Sequence, residues 1–414
     1  MRRLATQVFS MLSLLVVFLL SVSTAIAQDW PDFRGPERNG VYPGTIAEKL
    51  PANGPEMLWE KSVGAGFSNP VVANGRLILF HRVGSEEVVE ALDAATGKPI
   101  WRQGYPTKYR DDFGFDPGPR ASPVIAGGQV YTFGAEGTLT CLSFASGERI
   151  WQVKANEEYG VAKGFFGAAS TPLIDGNRLL LNVGGADGAG IVALDKDTGK
   201  LLWKATEDDA SYSSPVMAEI QGKRRLVFFT REGLVILEPA DGKVVYARRW
   251  RSRSNASVNA AMPIVSNDIV LLTASYGTGA LALDFSGGGE PKVLWSGEEA
   301  LSSHYSTPVL LDGVVYGYDG RQEYGQSFRA IDLKTGKVLW SEDGFGAGTV
   351  TLAGDVLVLV REKGELVLAR ANPKKFEPLG RAQILQGEVR AYPALADGRL
   401  YARDESTLVC VRLK

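Results

Sequence analysis

The chain has 414 residues, 45% of them hydrophobic, with 45 Lys and Arg against 47 Asp and Glu. A net charge of −2 gives no basis for wholesale nucleic-acid binding, and two histidines leave almost no supply for a histidine-based metal site. Forty-eight glycines and 20 prolines describe a turn-rich β protein and not a disordered chain.

Residues 1–27 carry Arg2 and Arg3, an apolar run from Leu12 to Leu20, and Ala25-Ile26-Ala27 ahead of Gln28. This order of basic, apolar and small residues predicts a signal peptide cleaved after Ala27. Its loss would take the charge from −2 to −2 − 2 = −4. The apolar run is too short to span a bilayer, and nothing later approaches the roughly 20 apolar residues of a transmembrane helix. Cys141 is the first cysteine, so no lipid anchor is expected near the cleavage point. Export to the periplasm or the extracellular space is the expectation, with residues 28–55 as a leader and 56–414 as one domain.

From residue 91 one phrase recurs: ALDAATGKPIW (91–101), CLSFASGERIW (141–151), ALDKDTGKLLW (193–203), ILEPADGKVVY (236–246), ALDFSGGGEPKVLW (282–295) and AIDLKTGKVLW (330–340). The aromatic falls at Trp101, Trp151, Trp203, Tyr246, Trp295 and Trp340, and a seventh copy decays to Leu379. A second phrase alternates with it, a proline opening an apolar strand and a turn pair about five residues on. It stands at Pro70 (Asn74-Gly75), Pro123 (Gly127-Gly128), Pro172 (Asp175-Gly176), Pro215, Pro263 (Asn267-Asp268), Pro308 (Asp312-Gly313) and Pro393 (Asp397-Gly398). Thr349, before Ala353-Gly354, takes the place of proline in the remaining copy.

Asn-Gly and Asp-Gly supply the positive φ of a tight hairpin, and Thr-Gly-Lys makes a second turn in each unit. Eight units of four short strands predict an all-β, eight-bladed β-propeller. The last unit ends after its third strand, while Trp59 lies in a lone strand near the start. The Trp59 strand is therefore expected to complete the eighth blade and remove the open edge.

These phrases are similar to the PQQ-like repeat family, whose Ala-x-Asp-x-x-Thr-Gly-Lys-x-x-Trp signature tethers neighbouring blades through tryptophan. Asp29-Trp30-Pro31-Asp32-Phe33-Arg34-Gly35-Pro36 resembles a leader of exported members, and the resemblance runs over about residues 29–414. It implies one of two classes. The first holds quinoprotein alcohol and sugar dehydrogenases, with pyrroloquinoline quinone and calcium in the funnel. The second holds BamB-like scaffolds of the outer-membrane β-barrel assembly machinery. No Glu, Asn or Asp matches the calcium ligands of the first class position by position. Cys141 and Cys410 occupy small core positions in blades two and eight, so no disulfide is expected.

Both short turns of each blade share one face. The unusual residues collect in the connections on the other, where function concentrates. They are Tyr109, Arg110, Asp112, Phe113, Arg120, Phe166, Tyr212, Arg249, His304, Tyr305, Arg321, Arg390 and Tyr392, with His81 and Arg82 placed in a loop of the same face. Aromatic rings with arginines dominate protein interfaces. This face is therefore expected to bind a protein or peptide partner in the cell envelope, with the chain a monomer. His304 as a general base lacks an accompanying serine or paired carboxylate, and Asp111, Asp112 and Asp116 as calcium ligands weigh less than a solvated acidic loop. No catalytic or metal residue and no cofactor is assigned. The alternatives are quinone-dependent dehydrogenation and glycan binding by Tyr109, Phe113 and Phe166.

Overall fold

A computed structural model describes residues 28–162, 164, 166–255 and 258–414. The expected signal peptide, and Lys163 and Phe165 of the aromatic loops, lie outside the described residues. Eight antiparallel sheets follow one another around a ring. Blade 1 comprises Val71–Ala73, Arg76–Val83, Glu86–Asp93 and Pro99–Pro106, and the later blades repeat this order from the channel outward. Blade 8 has Ala394–Ala396, Arg399–Arg403 and Thr407–Arg412, and Met57–Ser62 is its outer strand, with Trp59 opposite Cys410. The ring thus closes as the sequence predicted, and the seam hides what would otherwise be an unpaired edge.

Local chemistry explains each blade. Asn74 and Gly75 take φ of 49° and 71°, and Asp312-Gly313 and Asp397-Gly398 do the same, as type I′ hairpins require. Two turns sit one residue later than expected. Asp175 pairs with Arg178 and Ala353 with Val356, so the turn residues are Gly176-Asn177 and Gly354-Asp355. Glycine then takes the first turn position, and the Asp175 carboxylate is freed to bind Arg178 and Arg224 at 3.2 and 2.7 Å. In the second turn Asp93 accepts both the Thr96 N–H and hydroxyl, at 2.8 and 2.7 Å. Asp195 with Thr198 and Asp332 with Thr335 repeat it.

The recurring tryptophans join blades. The indole N–H of Trp101 donates to Phe144 O at 3.0 Å, Trp151 to Lys196 O at 2.9 Å, Trp295 to Leu333 O at 2.8 Å and Trp340 to Asn372 O at 2.8 Å. Each acceptor lies in the second turn of the next blade. Trp59 completes the circle on Ala94 O at 3.1 Å. The glycine of the next turn is obligatory because the ring lies against it: a Cβ at Gly336 would stand 2.5 Å from Trp295 Cδ2.

A belt of hydrogen bonds runs around the channel through the residues that precede the prolines. Ser122 N–H donates to Thr171 Oγ1 (3.0 Å), Thr171 N–H to Ser214 Oγ (2.9 Å) and Met262 N–H to Thr307 Oγ1 (2.9 Å). Thr307 N–H donates to the Tyr392 hydroxyl, and Tyr392 N–H to Asn69 Oδ1 at 2.7 Å. Side chains of one blade thereby satisfy backbone donors of another that have no strand partner.

The leader enters this channel from the turn face. Proline removes a donor at the inner strand of seven of the eight blades, so the channel edge is rich in carbonyls, and arginine, a donor without acceptors, suits it. Arg34 Nη2 donates to Pro308 O at 2.7 Å. Arg38 donates to Pro215 O at 3.0 Å, Pro172 O at 2.9 Å and Thr171 O at 3.2 Å, while Asp32 Oδ1 neutralises it at 2.6 Å. In blade 7, where Thr349 replaces proline, the leader pairs as a strand instead, Val41–Tyr42 running parallel to Gly348–Ala353. Gly40 takes a φ of 77°, which favours glycine, and a Cβ there would also stand 3.0 Å from Val309 Cγ1. Burial pushes the Arg34 guanidinium down to about 10.

Candidate aromatic and arginine site at the channel mouth

The hydrogen bond from Ala94 N–H to Gly75 O, repeated by Phe144 with Gly128 and Leu333 with Gly313, puts both turns of a blade together. The remaining connections converge on the opposite face. There they enclose a cavity of about 360 Å³ over the channel. Phe33, at the tip of the leader, lines it from below, and Phe113, Arg120, Phe166, Tyr212, His304, Tyr305, Arg390 and Tyr392 are among its walls. Eight of the thirteen residues singled out in the sequence therefore meet in one place.

Rings and guanidinium groups alternate around this mouth. The Arg120 guanidinium carbon lies 5.8 Å from the Phe166 ring centre and 5.7 Å from that of Phe67. That of Arg390 lies 5.4 Å from Phe67 and 5.7 Å from Phe115. Phe115 and Phe166 close the circuit with centroids 6.1 Å apart. Arg321 lies 4.1 Å over Tyr276, whose ring meets His304 edge-on at 5.3 Å. The positive groups face negative ring faces, and water is partly excluded, so each contact is worth more than on an open surface.

The polar groups of the site are engaged with one another. Asp111 Oδ2 accepts from Arg120 Nη2 at 2.7 Å, and Glu323 Oε1 accepts from Arg321 Nη2 at 2.8 Å. Arg390 pairs with Glu388 and lies 3.5 Å from Glu362 Oε1, which also meets the Tyr305 hydroxyl at 3.4 Å. His304 Nδ1 is bound by Gln322 Oε1. Burial lowers His304, and it raises Tyr305 and the Glu362 carboxyl. Asp116 accepts Gly66 N–H at 3.0 Å and Gly118 N–H at 2.6 Å, so it ties the acidic loop to the connection before blade 1 and caps its own backbone.

Five of the thirteen stand apart from the cavity wall. Tyr109, Arg110 and Tyr212, the last shared by both, line an adjoining space of about 670 Å³ between blades 2, 3 and 4. Asp112 is exposed on the loop above. Arg321 stacks behind Tyr276, and Arg249, 75% exposed, binds Glu232 at 3.0 Å on the outer strand of blade 4. His81 belongs to no loop. It sits inside strand Arg76–Val83, 3% exposed, where its Nδ1 accepts Gly64 N–H at 2.8 Å across the closing seam. Phe33, Phe67, Tyr276 and Gln322 were not anticipated. Phe67 precedes Ser68-Asn69-Pro70 as Tyr305 precedes Ser306-Thr307-Pro308, a repeat-phase signal that would have found it.

A family model for outer membrane protein assembly factor BamB matches residues 85–342, well over half of the chain. BamB of Burkholderia pseudomallei is 29% identical over 178 residues, 40% of each chain. BamB of Yersinia pestis is 24% identical over 296 residues, 70% of this chain and 61% of that one. The chain thus spans 40% and 61% of the length of these two relatives. Among solved structures, BamB of Moraxella catarrhalis superposes with a TM-score of 0.63 at 15% identity, covering 87% of this chain and 98% of that one. Quinohemoprotein alcohol dehydrogenase of Comamonas testosteroni gives 0.52 at 16%, covering 93% and 80%, a likeness of fold alone.

That fold invites a test for calcium-held quinone. Among the described residues no group of three or more His, Cys, Asp or Glu is placed to hold a metal ion. Arg120, Arg321 and Arg390 already carry carboxylate partners, and Cys141 and Cys410 are free thiols buried in different blades. Repeats, closure and family model agree that this chain belongs to the PQQ-like repeat propeller family of outer membrane protein assembly factor BamB.

Proposed function

We propose that the protein is an exported, non-catalytic scaffold of the cell envelope that holds a protein or peptide partner on its loop face. One observation carries this reading. The leader stoppers the channel, and the mouth above it is a blind cavity of ring faces whose charged groups are tied to each other. A catalytic site aims polar groups at a reacting atom, whereas this wall is a rigid surface for contact. The family relationship supports the same reading, and the monomeric ring presents the face once.

A photo-reactive residue placed at Tyr324, 81% exposed beside the mouth, should trap one defined envelope protein in the native host. The same residue at Ile150, on the turn side of an outer strand, should trap none. Equal trapping at both positions, or none at Tyr324, overturns the reading. Titration with pyrroloquinoline quinone and calcium should leave the melting temperature unmoved, because ligands that bind the folded state raise it. A saturable rise would replace the scaffold by a dehydrogenase. Amino-terminal sequencing of exported protein should begin at Gln28.

A further inference from the structure

The circuit Phe166–Arg120–Phe67–Arg390–Phe115 is built from alternating charge, and its walls leave ring surface uncovered. Phe113 and Phe115 are 56% and 57% exposed, unusual for two phenylalanines 5.2 and 6.1 Å from the same Phe166 ring. Single exposed apolar residues need no explanation, but a contiguous patch over a cavity does. The chemistry of the wall narrows what fits. A cation would meet Arg120 and Arg390. A sugar needs hydrogen-bonding groups at its hydroxyls, whereas the charged groups of the wall are paired at Asp111–Arg120, Arg321–Glu323 and Arg390–Glu388 and the exposed surface is ring carbon. An aromatic ring continues the existing alternation, its face against a guanidinium and its edge against a ring face.

We propose that this cavity is the pocket for an aromatic side chain of a polypeptide partner, which enters past the exposed Phe113 and Phe115 rings and comes to rest above Phe33. The proposal rests on the scaffold reading and names the chemistry of its partner. The adjoining space shares Ala169 and Tyr212 with the cavity, so the flanking backbone has a continuous path across the face.

Isothermal titration with three blocked pentapeptides, identical but for a central Phe, Leu or Ala, tests it on the intact protein. The Phe peptide should bind about tenfold more tightly than the Ala peptide, with Leu between them. Phe115→Ala, at an exposed position, should erase that preference. Arg390→Lys, which keeps the charge but not the planar group, should reduce it, and Ile150→Ser should change nothing. Equal binding of all three peptides, a Phe preference that survives Phe115→Ala, or tighter binding of laminaripentaose overturns the proposal. If the Tyr324 cross-link is trapped while the peptides bind alike, only the aromatic assignment fails. If the Phe preference appears while nothing is trapped, the scaffold reading fails and the pocket stands.

Discussion

The ring of Phe33 meets that of Tyr392 edge-on, with centroids 5.5 Å apart and planes at 89°, and so joins the leader to the last blade on the channel axis. The Arg34 guanidinium carbon lies 5.5 Å from the centre of the same tyrosine ring. Tyr392 in turn accepts from Thr307 and donates its own N–H to Asn69, so one residue binds leader, blade 6 and blade 1. Truncating Phe33→Ala should lower the unfolding free energy by on the order of 2 kcal/mol and remove the cavity floor. Urea denaturation and the Phe-peptide titration measure the two effects.

Arg38 is the stronger anchor. Arg38→Ala leaves Asp32 buried without its partner and three carbonyls without a donor, a loss on the order of 3–5 kcal/mol in urea unfolding. Burial already raises the Asp32 carboxyl despite that guanidinium. Adding Asp32→Asn to Arg38→Ala should therefore recover part of the loss.

The tryptophans are not equivalent. Trp295 donates to Leu333 O, whereas among the described residues the Trp203 indole N–H meets no acceptor, although its ring packs on Gly242 like the others. Trp295→Phe should cost about 1 kcal/mol and Trp203→Phe close to nothing, because a net hydrogen bond is worth about that much. Chemical denaturation of the pair decides it.

His81 predicts an acid sensitivity of the closing seam. Burial, with Arg403, Arg102 and Lys61 nearby, outweighs the Glu90 carboxylate 3.8 Å from Nε2 and holds it at about 3 against an ordinary 6.5. The folded state thus prefers the neutral ring, and its Nδ1 must stay unprotonated to accept Gly64 N–H. Below pH 6.5 the unfolded chain binds a proton that the folded one does not, so this contribution is present above 6.5 and fades as pH falls toward 3. The stability advantage of wild type over His81→Gln should shrink across that interval in thermal melts. An advantage that grows on acidification would contradict it.

Both thiols should be inert in the folded protein. Cys141 and Cys410 are fully buried, and burial pushes them up to about 12 and about 11. A thiol reagent should modify neither in native buffer and both in denaturant, since the thiolate is the reactive form.

The blade pattern was legible in the sequence because its determinants are local. A positive-φ pair sets one hairpin, an Asp–Thr–Gly turn the other, and period-two apolar strands lie between them. Even the closure by Trp59 followed from counting strands, since a blade short of one strand needs it from elsewhere. The one-residue error at Gly176 and Gly354 arose where either neighbour of a glycine serves as its turn partner.

The number of blades, their internal turns, the seam, and the face that collects rings and arginines can all be read from residue order. Tertiary structure alone decided that the leader fills the channel, that pre-proline residues form a belt, and that His81 lies in the seam. The physical reason is sequence distance. Arg38 finds Pro172 134 residues away and Tyr392 finds Asn69 at 323, contacts that no local periodicity encodes. The same holds for the mouth, where residues from seven blade-to-blade connections and two loops within blades become neighbours only when the circle closes.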